Sequence, residues 1–340
     1  MSLAFGDMGS EDLRLDRSIP INCTQPSSHY VDINLPSFDS PARILILGAT
    51  GQLGAQLIEQ LGPAALPAAR RTQVPDWLHL DLESIAANPA QLDSLIARHN
   101  ITAVFCAAGA TNVDRCETDQ VWAEAANHLG PLALARAARH IPYVFFSTDY
   151  VFDGSPENPG PYSEDAPTNP LSVYGRTKLE GEQSILAAHP SALVLRTTTV
   201  YGPDPQGKNY LYTLSRVLKA GNIMKAPTDQ LATPTYNADL AAAAIALVEL
   251  SQTGIFHVSG PDFLSRYDFA VAACEILALP TATLQPSTTP ELAQLAARPL
   301  IAGLAIAKLQ SFLGPDCMRS AEAGIHDWQA SLVTPTGAPA

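Results

Sequence analysis

A tyrosine and a lysine stand four residues apart near the middle of the chain, in the segment Tyr174-Gly-Arg-Thr-Lys178. The surrounding pattern predicts a helix that opens near Val173, so the two side chains would share one helical face. An ammonium group beside a phenol stabilises the phenolate and lowers the tyrosine pKa from about 10 toward neutral pH. Such a tyrosine can exchange a proton with a carbonyl or an alcohol, and the Thr148 hydroxyl could hold the same oxygen. Tyr-x-x-x-Lys also occurs in helices that have no such role.

Three glycines near the start of the folded part predict a glycine turn that binds a cofactor. This turn would place the cofactor beside Tyr174 and Lys178. Ile44 to Leu47 is a short apolar run typical of a strand buried on both faces. Gly48, Gly51 and Gly54 follow it, and from Leu53 the apolar residues recur at helical spacing. Strand, glycine turn and helix point free backbone N–H groups at a pyrophosphate. A βα turn that binds no ligand remains the alternative for this stretch taken alone.

The stretches that follow alternate between strand and helix patterns. Such alternation predicts right-handed βαβ crossovers and a doubly wound α/β sheet. The segment Ser147 to Gly154 would leave the sheet at its carboxyl edge, where ligand sites of α/β folds lie. The predicted strands are Ala64–Ala69, Trp77–Leu82, Ala103–Gly109 and Pro142–Ser147, and the predicted helices are Gln91–His99 and Asp119–His140.

Two adjacent arginines, Arg70 and Arg71, end the second predicted strand about 20 residues beyond the glycines. A dinucleotide fold places there the residue that meets the adenosine ribose. Guanidinium groups bind phosphate through paired hydrogen bonds, so the arginines favour the 2′-phosphate of NADP(H), with NAD(H) as the second option. Two solvated surface arginines are the alternative.

Composition excludes several classes of function. The formal charge of -13 over 340 residues disfavours nucleic acid and anionic membranes as partners. No apolar run approaches the roughly 18 residues of a membrane span, and no secretory signal is recognisable. The five cysteines are scattered without a Cys-x-x-Cys pair, which predicts neither a disulfide framework nor a metal site. A cytoplasmic protein is expected, and a homodimer is compatible with the sequence.

The chain divides into four predicted parts. Residues 1–41 are a disordered extension, 42–202 the dinucleotide-binding domain, 203–330 a mainly substrate-binding part that returns some elements to the core, and 331–340 a disordered tail. In the third part the predicted strand is Gly254–Gly260 and the predicted helices are Tyr210–Leu218, Asn237–Leu250, Tyr267–Leu277 and Pro290–Ala297.

From about residue 43 to 315 the chain resembles the extended short-chain dehydrogenases/reductases, and within them the dTDP-4-dehydrorhamnose reductase family. Several motifs carry this resemblance in the same order: Gly48-x-x-Gly51-x-x-Gly54, Ala107-Ala-Gly-Ala-Thr-Asn-Val-Asp114, Ser147-Thr-Asp-Tyr-Val-Phe-Asp-Gly154, Asn169-Pro-x-x-x-Tyr-Gly-x-x-Lys178, Leu195-Arg-Thr197, Val200-Tyr-Gly202, Asp229-Gln-x-x-x-Pro-Thr235 and Arg298-Pro299.

The resemblance implies a role for each matching residue. Thr148 would polarise the C4 ketone of a nucleotide sugar, Tyr174 would protonate its oxygen, and Lys178 would tune Tyr174 and bind the nicotinamide ribose. Besides Tyr174 and Lys178, the implied cofactor contacts are Gly48, Thr50, Gly51, Gln52, Leu53, Gly54, Arg70, Arg71, Asp81, Leu82, Ala107, Ala108 and Gly109. The implied substrate contacts are Thr111, Asp149, Asn209, Gln230 and Arg298.

Three positions depart from the family pattern. Thr199 stands where the family often has a tryptophan, Ala110 where it usually has a tyrosine, and Leu300-Ile-Ala-Gly303 where Asn or Arg and then Ser are common. Loss of aromatic and polar lining enlarges a pocket and changes its specificity, so the sugar is left open.

Two other functions remain open. One is a non-catalytic NADP-binding regulatory subunit that resembles the methionine adenosyltransferase β subunit, although the intact Thr148, Tyr174 and Lys178 disfavour it. The other is a sugar-nucleotide epimerase or 4,6-dehydratase. Dehydratases carry an Asp-Glu pair after the threonine, whereas Asp149-Tyr150 follows here.

Overall fold

The computed structural model describes residues 43–333. Its centre is a seven-stranded parallel sheet with the strand order β11-β6-β5-β4-β1-β2-β3. The predicted doubly wound α/β fold is therefore confirmed. In chain order the strands are β1 (Arg43–Leu47), β2 (Ala65–Ala69), β3 (Leu78–His79), β4 (Ile101–Cys106), β5 (Tyr143–Thr148), β6 (Leu193–Thr197), β7 (Val200–Tyr201), β8 (Met224–Pro227), β9 (Leu231–Ala232), β10 (Thr235–Tyr236), β11 (Gly254–His257), β12 (Leu264–Ser265) and β13 (Leu284–Ser287).

Helices cover both faces of the sheet and build the smaller C-terminal part. They are α1 (Gln52–Leu61), α2 (Leu82–Ala87), α3 (Leu92–Arg98), α4 (Val113–Thr118), α5 (Gln120–Glu124), α6 (Gly130–Ala137), α7 (Val173–Ala188), α8 (Tyr210–Lys219), α9 (Asn237–Glu249), α10 (Arg266–Ile276), α11 (Thr289–Leu292), α12 (Ala307–Leu313) and α13 (Ala321–Val333). In this part of the chain no helix is long and apolar enough to cross a membrane.

The apolar runs read as strands are buried because both faces of the sheet are covered. Within β1, Leu45 and Leu47 belong to a core shared with α2, α6 and α7. Ile44 and Ile46 belong to a core on the opposite face, shared with α1, α9 and α12. Alternate side chains of one strand thus anchor two layers of helices.

The C-terminal part is joined to the sheet rather than separate from it. Strand β11 adds an edge beside β6, pairing Gly254 with Leu193. A third core, which includes Trp328, Tyr201 and Phe269, lies between α8, α10 and α13. The late elements therefore extend one lateral edge of the sheet and add a core of their own.

Some element predictions were wrong. The strand expected over Trp77–Leu82 covers only Leu78–His79, because Asp81 caps α2 by accepting from Ser84 N. The helix expected over Asp119–His140 contains a π-helical turn at Ala125–Leu129. The helix expected over Pro290–Ala297 ends at Leu292, since Ala293 adopts a left-handed backbone with φ of +46°.

Two predicted segments concern the chain ends. The extension at 1–41 lies outside the described residues. Helix α13 runs through Val333 and so overlaps the predicted tail at 331–340, and residues 334–340 lie outside the described part.

Candidate active site

A cavity of about 290 Å³ opens at the carboxyl edge of the central sheet, between β5, α7 and the C-terminal part. Threonine, tyrosine and glutamine side chains dominate its lining, together with one carboxylate and one guanidinium. The lining residues are Gln52, Thr111, Val113, Ser147, Thr148, Asp149, Tyr150, Tyr174, Thr197, Thr198, Thr199, Val200, Gln230, Leu231, Ala232, Arg266 and Pro299. The cavity thus brings together Thr148, Tyr174 and three of the five predicted substrate contacts, Thr111, Asp149 and Gln230.

Thr148 ends β5 and is held by the residues that follow it. Its hydroxyl accepts from Tyr150 N at 3.2 Å and donates to Asp149 Oδ1 at 3.0 Å. The second oxygen of Asp149 accepts from the Thr198 hydroxyl at 2.7 Å. Asp149 is buried, and burial raises its pKa to about 6 against the opposing effect of the two threonine hydroxyls and of the Arg266 charge. The cavity therefore contains a carboxyl group that titrates near neutral pH.

Tyr174 lies in the first turn of α7, which Ser172 caps by accepting from Gly175 N at 3.2 Å. Its ring meets the Tyr150 ring edge-on, with centroids 5.3 Å apart. Burial raises the pKa of Tyr174, the neighbouring Asp149 raises it further, and only the Thr148 hydroxyl lowers it. The expectation that Lys178 lowers this pKa is wrong for this arrangement, because Lys178 is engaged elsewhere.

Lys178 is buried beneath Tyr174 on the same helix. Its Nζ donates to the Phe146 carbonyl oxygen at 2.6 Å and lies 3.9 Å from the centre of the Phe145 ring. Burial lowers the pKa of Lys178 to about 8. A Cβ added at Gly109 would lie 4.0 Å from Nζ, so the ammonium reaches the loop after β4.

A fully buried ion pair lies one turn further along α7. Glu182 accepts from Arg196 Nε at 3.0 Å and from Nη2 at 2.7 Å, and the two side chains are 1% and 3% exposed. The pair joins the helix that carries Tyr174 and Lys178 to β6. Arg196 also lies 5.2 Å from the centre of the Phe152 ring. This ion pair therefore helps to fix the position of α7 relative to the sheet.

The glycine loop has the geometry that the spacing predicts. Gly48 has φ of +92°, and a Cβ there would lie 2.7 Å from Ala108 N. At Gly54 a Cβ would lie 2.3 Å from Gly48 O, so α1 packs directly on the turn. Only Gly48 O, at 3.3 Å, lies near a Cβ placed on Gly51. The loop thus packs tightly against Ala107 and Ala108, and at Gly51 it is close only to its own backbone.

The N-terminus of α1 carries no group that would compete with a phosphate. It has no capping side chain, and its first turn contains no acidic residue, so its backbone N–H groups and helix dipole are not neutralised locally. Beside it, Gln52 donates to Val200 O at 3.2 Å, and exposed Thr50 accepts from Gln206 through its carbonyl at 2.8 Å. Leu53 packs on the core.

Asn127 holds the loop that follows β4, and the sequence analysis missed it. Its side chain accepts from Ala110 N at 2.8 Å and donates to Ala110 O at 3.2 Å. It also donates to the Thr177 hydroxyl at 3.2 Å. A lone asparagine within an Ala-rich helix was the only local signal of this role.

The predicted adenosine contacts lie around the end of β2. Arg70 forms an exposed ion pair with Glu83 at 3.4 Å. Arg71 lines a shallow surface depression with Thr72, Gln73 and His79. The two arginines are therefore not equivalent.

Asp81 and Leu82 face different surroundings. The Asp81 carboxylate accepts from Ser84 N and Oγ at 3.2 and 3.0 Å, and the Leu82 side chain is buried in the core below α6. Both side chains have protein partners.

Two of the predicted substrate contacts are committed to protein partners and do not line the cavity. Asn209 caps α8 and donates to Gln52 Oε1 at 3.0 Å and Gly202 O at 2.9 Å. Arg298 forms a bidentate pair with Asp114, with both contacts at 3.2 Å. The bidentate contact expected of Arg298 is thus made with a carboxylate of the chain itself.

The sequence predicts no role for the cavity residues Arg266 and Ser147, and it marks Thr199 only as a departure from the family pattern. Arg266 lines the cavity from the start of α10. Ser147 is buried there, and its hydroxyl has no hydrogen-bond partner among the described residues. Thr199 lines the wall with φ of +43°, a strained backbone for a β-branched residue.

The chain matches a known protein family along most of its length. The family model for the RmlD substrate binding domain matches residues 42–327. A protein of Mycobacterium tuberculosis named dTDP-4-dehydrorhamnose reductase is 34% identical over 307 residues, covering 88% of this chain and 93% of its own length.

Solved structures agree with the sequence relatives. The dTDP-4-dehydrorhamnose reductase of Clostridium acetobutylicum superposes with a TM-score of 0.77 at 31% identity, covering 86% of this chain and 100% of that one. The Bacillus anthracis reductase, solved in complex with NADP, has a TM-score of 0.76 at 29% identity, covering 85% and 99%. The resemblance drawn from the motifs is confirmed.

Proposed function

The chain belongs to the RmlD substrate-binding domain family, and from this membership we propose that it is an NAD(P)H-dependent reductase of a 4-keto-6-deoxy nucleotide sugar. The reaction would resemble that of dTDP-4-dehydrorhamnose reductase. One observation carries the proposal: Thr148 and Tyr174 share a cavity at the sheet edge, beside a glycine loop whose helix N-terminus is uncapped. Proton transfer and cofactor binding would thus meet at one place.

Tyr174 is the proton donor in this mechanism. A ketone that accepts hydride gains negative charge on its oxygen, and that oxygen must be protonated. Burial raises the pKa of Tyr174, so the phenol keeps its proton at neutral pH. The protonated phenol is the form that reduction requires.

Thr148 orients the reacting groups through its hydroxyl. The protonation state of Asp149 determines whether that hydroxyl donates to Asp149 or to a ketone. When Asp149 is ionised, its carboxylate accepts a hydrogen bond from the Thr148 hydroxyl. The Thr148 oxygen can then only accept a hydrogen bond from the Tyr174 phenol. When Asp149 is protonated, the Thr148 proton becomes available to a ketone oxygen. The pKa of about 6 places this exchange close to neutral pH.

The residues present fit a dinucleotide. Gly48, Gly51 and the first turn of α1 would hold its pyrophosphate, because a Cβ at Gly51 would meet only the backbone of the loop itself and the helix end has no capping side chain. Lys178 would meet the nicotinamide ribose from beside Gly109. The reduced nicotinamide supplies the hydride when bound. Arg71, beside Thr72 and His79 in its surface depression, supports a preference for the 2′-phosphate of NADP(H).

The proposal is tested by following loss of NADPH absorbance with a dTDP-4-keto-6-deoxyhexose generated in the assay. We expect Tyr174→Phe to lower kcat by about 10²- to 10⁴-fold, the usual contribution of a positioned proton donor. Tyr150→Phe is the matched control, because Tyr150 lines the same cavity and packs on Tyr174.

Two outcomes would count against the mechanism or the function. Equal rates for wild type and Tyr174→Phe would remove Tyr174 from its role. No turnover by a wild type that binds NADPH tightly would favour another carbonyl substrate or a regulatory subunit.

A further inference from the structure

A nucleotide sugar brings a negatively charged diphosphate, and the cavity contains one cation to receive it. Among the lining residues in the described part of the chain, Arg266 is the only guanidinium or ammonium and Asp149 the only carboxylate. Arg298, to which the family resemblance pointed, does not line the cavity. The anion of a bound substrate would therefore have to meet Arg266 or remain in water.

Arg266 is held in place through its backbone. It is the first residue of α10, and its N–H donates to Gln230 O at 2.9 Å in the cavity wall. Its carbonyl accepts from the Tyr210 hydroxyl at 3.4 Å. The guanidinium carbon lies 4.8 Å from the centre of the Tyr210 ring. Both the backbone and the side chain are thus positioned by the surrounding protein.

The guanidinium of Arg266 differs from comparable arginines. Four arginines between residues 43 and 331 are buried or half-buried: Arg196, Arg266, Arg298 and Arg319. Three of them face a carboxylate of the chain, namely Arg196 with Glu182, Arg298 with Asp114 and Arg319 with Asp327.

Within that same stretch Arg266 makes no ion pair and no side-chain hydrogen bond, only the ring contact with Tyr210. Its five N–H donors therefore remain available at the cavity. A half-buried guanidinium with no protein acceptor leaves its donors to water or to an anion bound in the cavity.

The charge of Arg266 already acts across the cavity. It opposes the burial that raises the pKa of Asp149 and of Tyr210, and at Tyr150 the Arg298 charge and then the Arg266 charge lower the pKa against burial. Asp149 and Tyr150 line the cavity, so an anion near Arg266 would feel the same field.

We propose that Arg266 is the diphosphate anchor of this cavity, binding the diphosphate of the nucleotide sugar through paired charge-assisted hydrogen bonds. This inference rests on the proposed function for the identity of the ligand. Arg266 is fixed on α10, whereas Thr148 and Tyr174 lie on β5 and α7. Binding a nucleotide sugar would therefore connect the C-terminal part to the catalytic edge of the sheet.

The test measures equilibrium binding of dTDP, inorganic diphosphate and thymidine to the full chain by calorimetry. Arg266→Met keeps an extended side chain against Tyr210 but removes the charge, and we expect it to weaken dTDP binding about 10- to 100-fold. Thymidine binding should not change. Arg266→Lys should recover part of the loss, since an ammonium provides charge without the planar fork.

Arg298→Met is the discriminating variant, because that guanidinium is neutralised by Asp114. We expect it to leave dTDP affinity unchanged. Equal dTDP affinity in wild type and Arg266→Met, or a loss in Arg298→Met alone, would overturn the inference whatever sugar the enzyme reduces. Arg266-dependent dTDP binding without turnover of the keto sugar would support the anchor and overturn the proposed reductase function.

Discussion

The two walls of the cavity are built in different ways. The catalytic wall of the proposed mechanism, which we define as Thr148 and Tyr174, stands on β5 and α7, with Lys178 and the buried Arg196–Glu182 pair behind it. The recognition wall, defined as Gln230, Leu231 and Arg266, is half-buried and belongs to the C-terminal part. The first wall is held by buried hydrogen bonds and the second by partly exposed contacts.

This difference teaches where the molecule tolerates change. A displaced Tyr174 would lose its alignment with a ketone oxygen, so the chemistry needs a rigid support. A recognition wall can exchange side chains without disturbing the sheet. We infer that sugar specificity can vary at Gln230 and Leu231 while the reaction and the diphosphate anchor at Arg266 are kept.

The largest expected effect tests the support of the catalytic wall. Glu182→Leu leaves Arg196 charged and buried without a partner, and removing one member of such a pair costs about 3–5 kcal/mol. Asp114→Leu breaks the corresponding pair with Arg298, where Asp114 is 44% exposed, and should cost about 1 kcal/mol or less. Urea denaturation of both variants gives the two values, and similar losses would mean that the buried pair behind the catalytic wall supports the fold no more than the partly exposed pair.

The next effect concerns Asp149, the only carboxyl group among the described residues that line the cavity. Because burial raises the pKa of Asp149 to about 6, the folded state favours its protonated form. Stability from this group is complete below about pH 4 and is lost as pH rises through about 6. Asp149→Asn has no such loss, so its stability relative to wild type should rise by about 2–3 kcal/mol over this interval.

Thermal unfolding of wild type and Asp149→Asn at several pH values measures that difference. A stability difference that does not change between about pH 4 and above pH 6 would mean that Asp149 titrates normally. Among the described residues that line the cavity, no carboxyl group would then have a raised pKa.

The smallest effect extends the comparison to the adenosine end, where side chains are exposed. Arg71→Met should raise the KM for NADPH about tenfold and leave the KM for NADH unchanged, because one phosphate contact is lost. Arg70→Met is the matched control, since Glu83 already pairs with that guanidinium. Equal effects of Arg71→Met on both cofactors would defeat the 2′-phosphate assignment.

The catalytic wall could be predicted because its signals are local. Tyr174 and Lys178 are one helical turn apart, Thr148 ends an apolar run, and the glycines follow a strand directly. Each pattern depends on neighbours within a few residues, which is the range that backbone periodicity controls. The fold class followed from the same patterns.

Of the recognition wall only Gln230 was predicted, because the contacts on this side of the site join distant parts of the chain. Asn209 meets Gln52 across 157 residues, and Arg298 meets Asp114 across 184. Family motifs marked both residues, yet only the structure shows that their polar groups are already used. Arg266 lies in an ordinary Ser-Arg-Tyr sequence and reaches the cavity through the pairing of β12 with β9.

The same limit explains the expectation about Lys178. Helical spacing correctly places its side chain on the face of Tyr174, but spacing does not show that its Nζ reaches the carbonyl oxygen of Phe146. The Phe146 carbonyl lies 32 residues away in the sequence, so helical spacing cannot predict this contact of the ammonium.

The joining of β11 to the sheet has a consequence for synthesis on the ribosome. The first 200 residues contain the glycine loop, Thr148, Tyr174 and Lys178, yet β6 stays an open edge until Gly254–His257 has been made and has left the exit tunnel. Helix α1 likewise waits for α9, whose Ala238 carbonyl accepts from Gln60 at 2.9 Å. The nascent chain therefore carries an exposed strand edge and an uncovered apolar helix face until these later segments are made, the features that chaperones recognise.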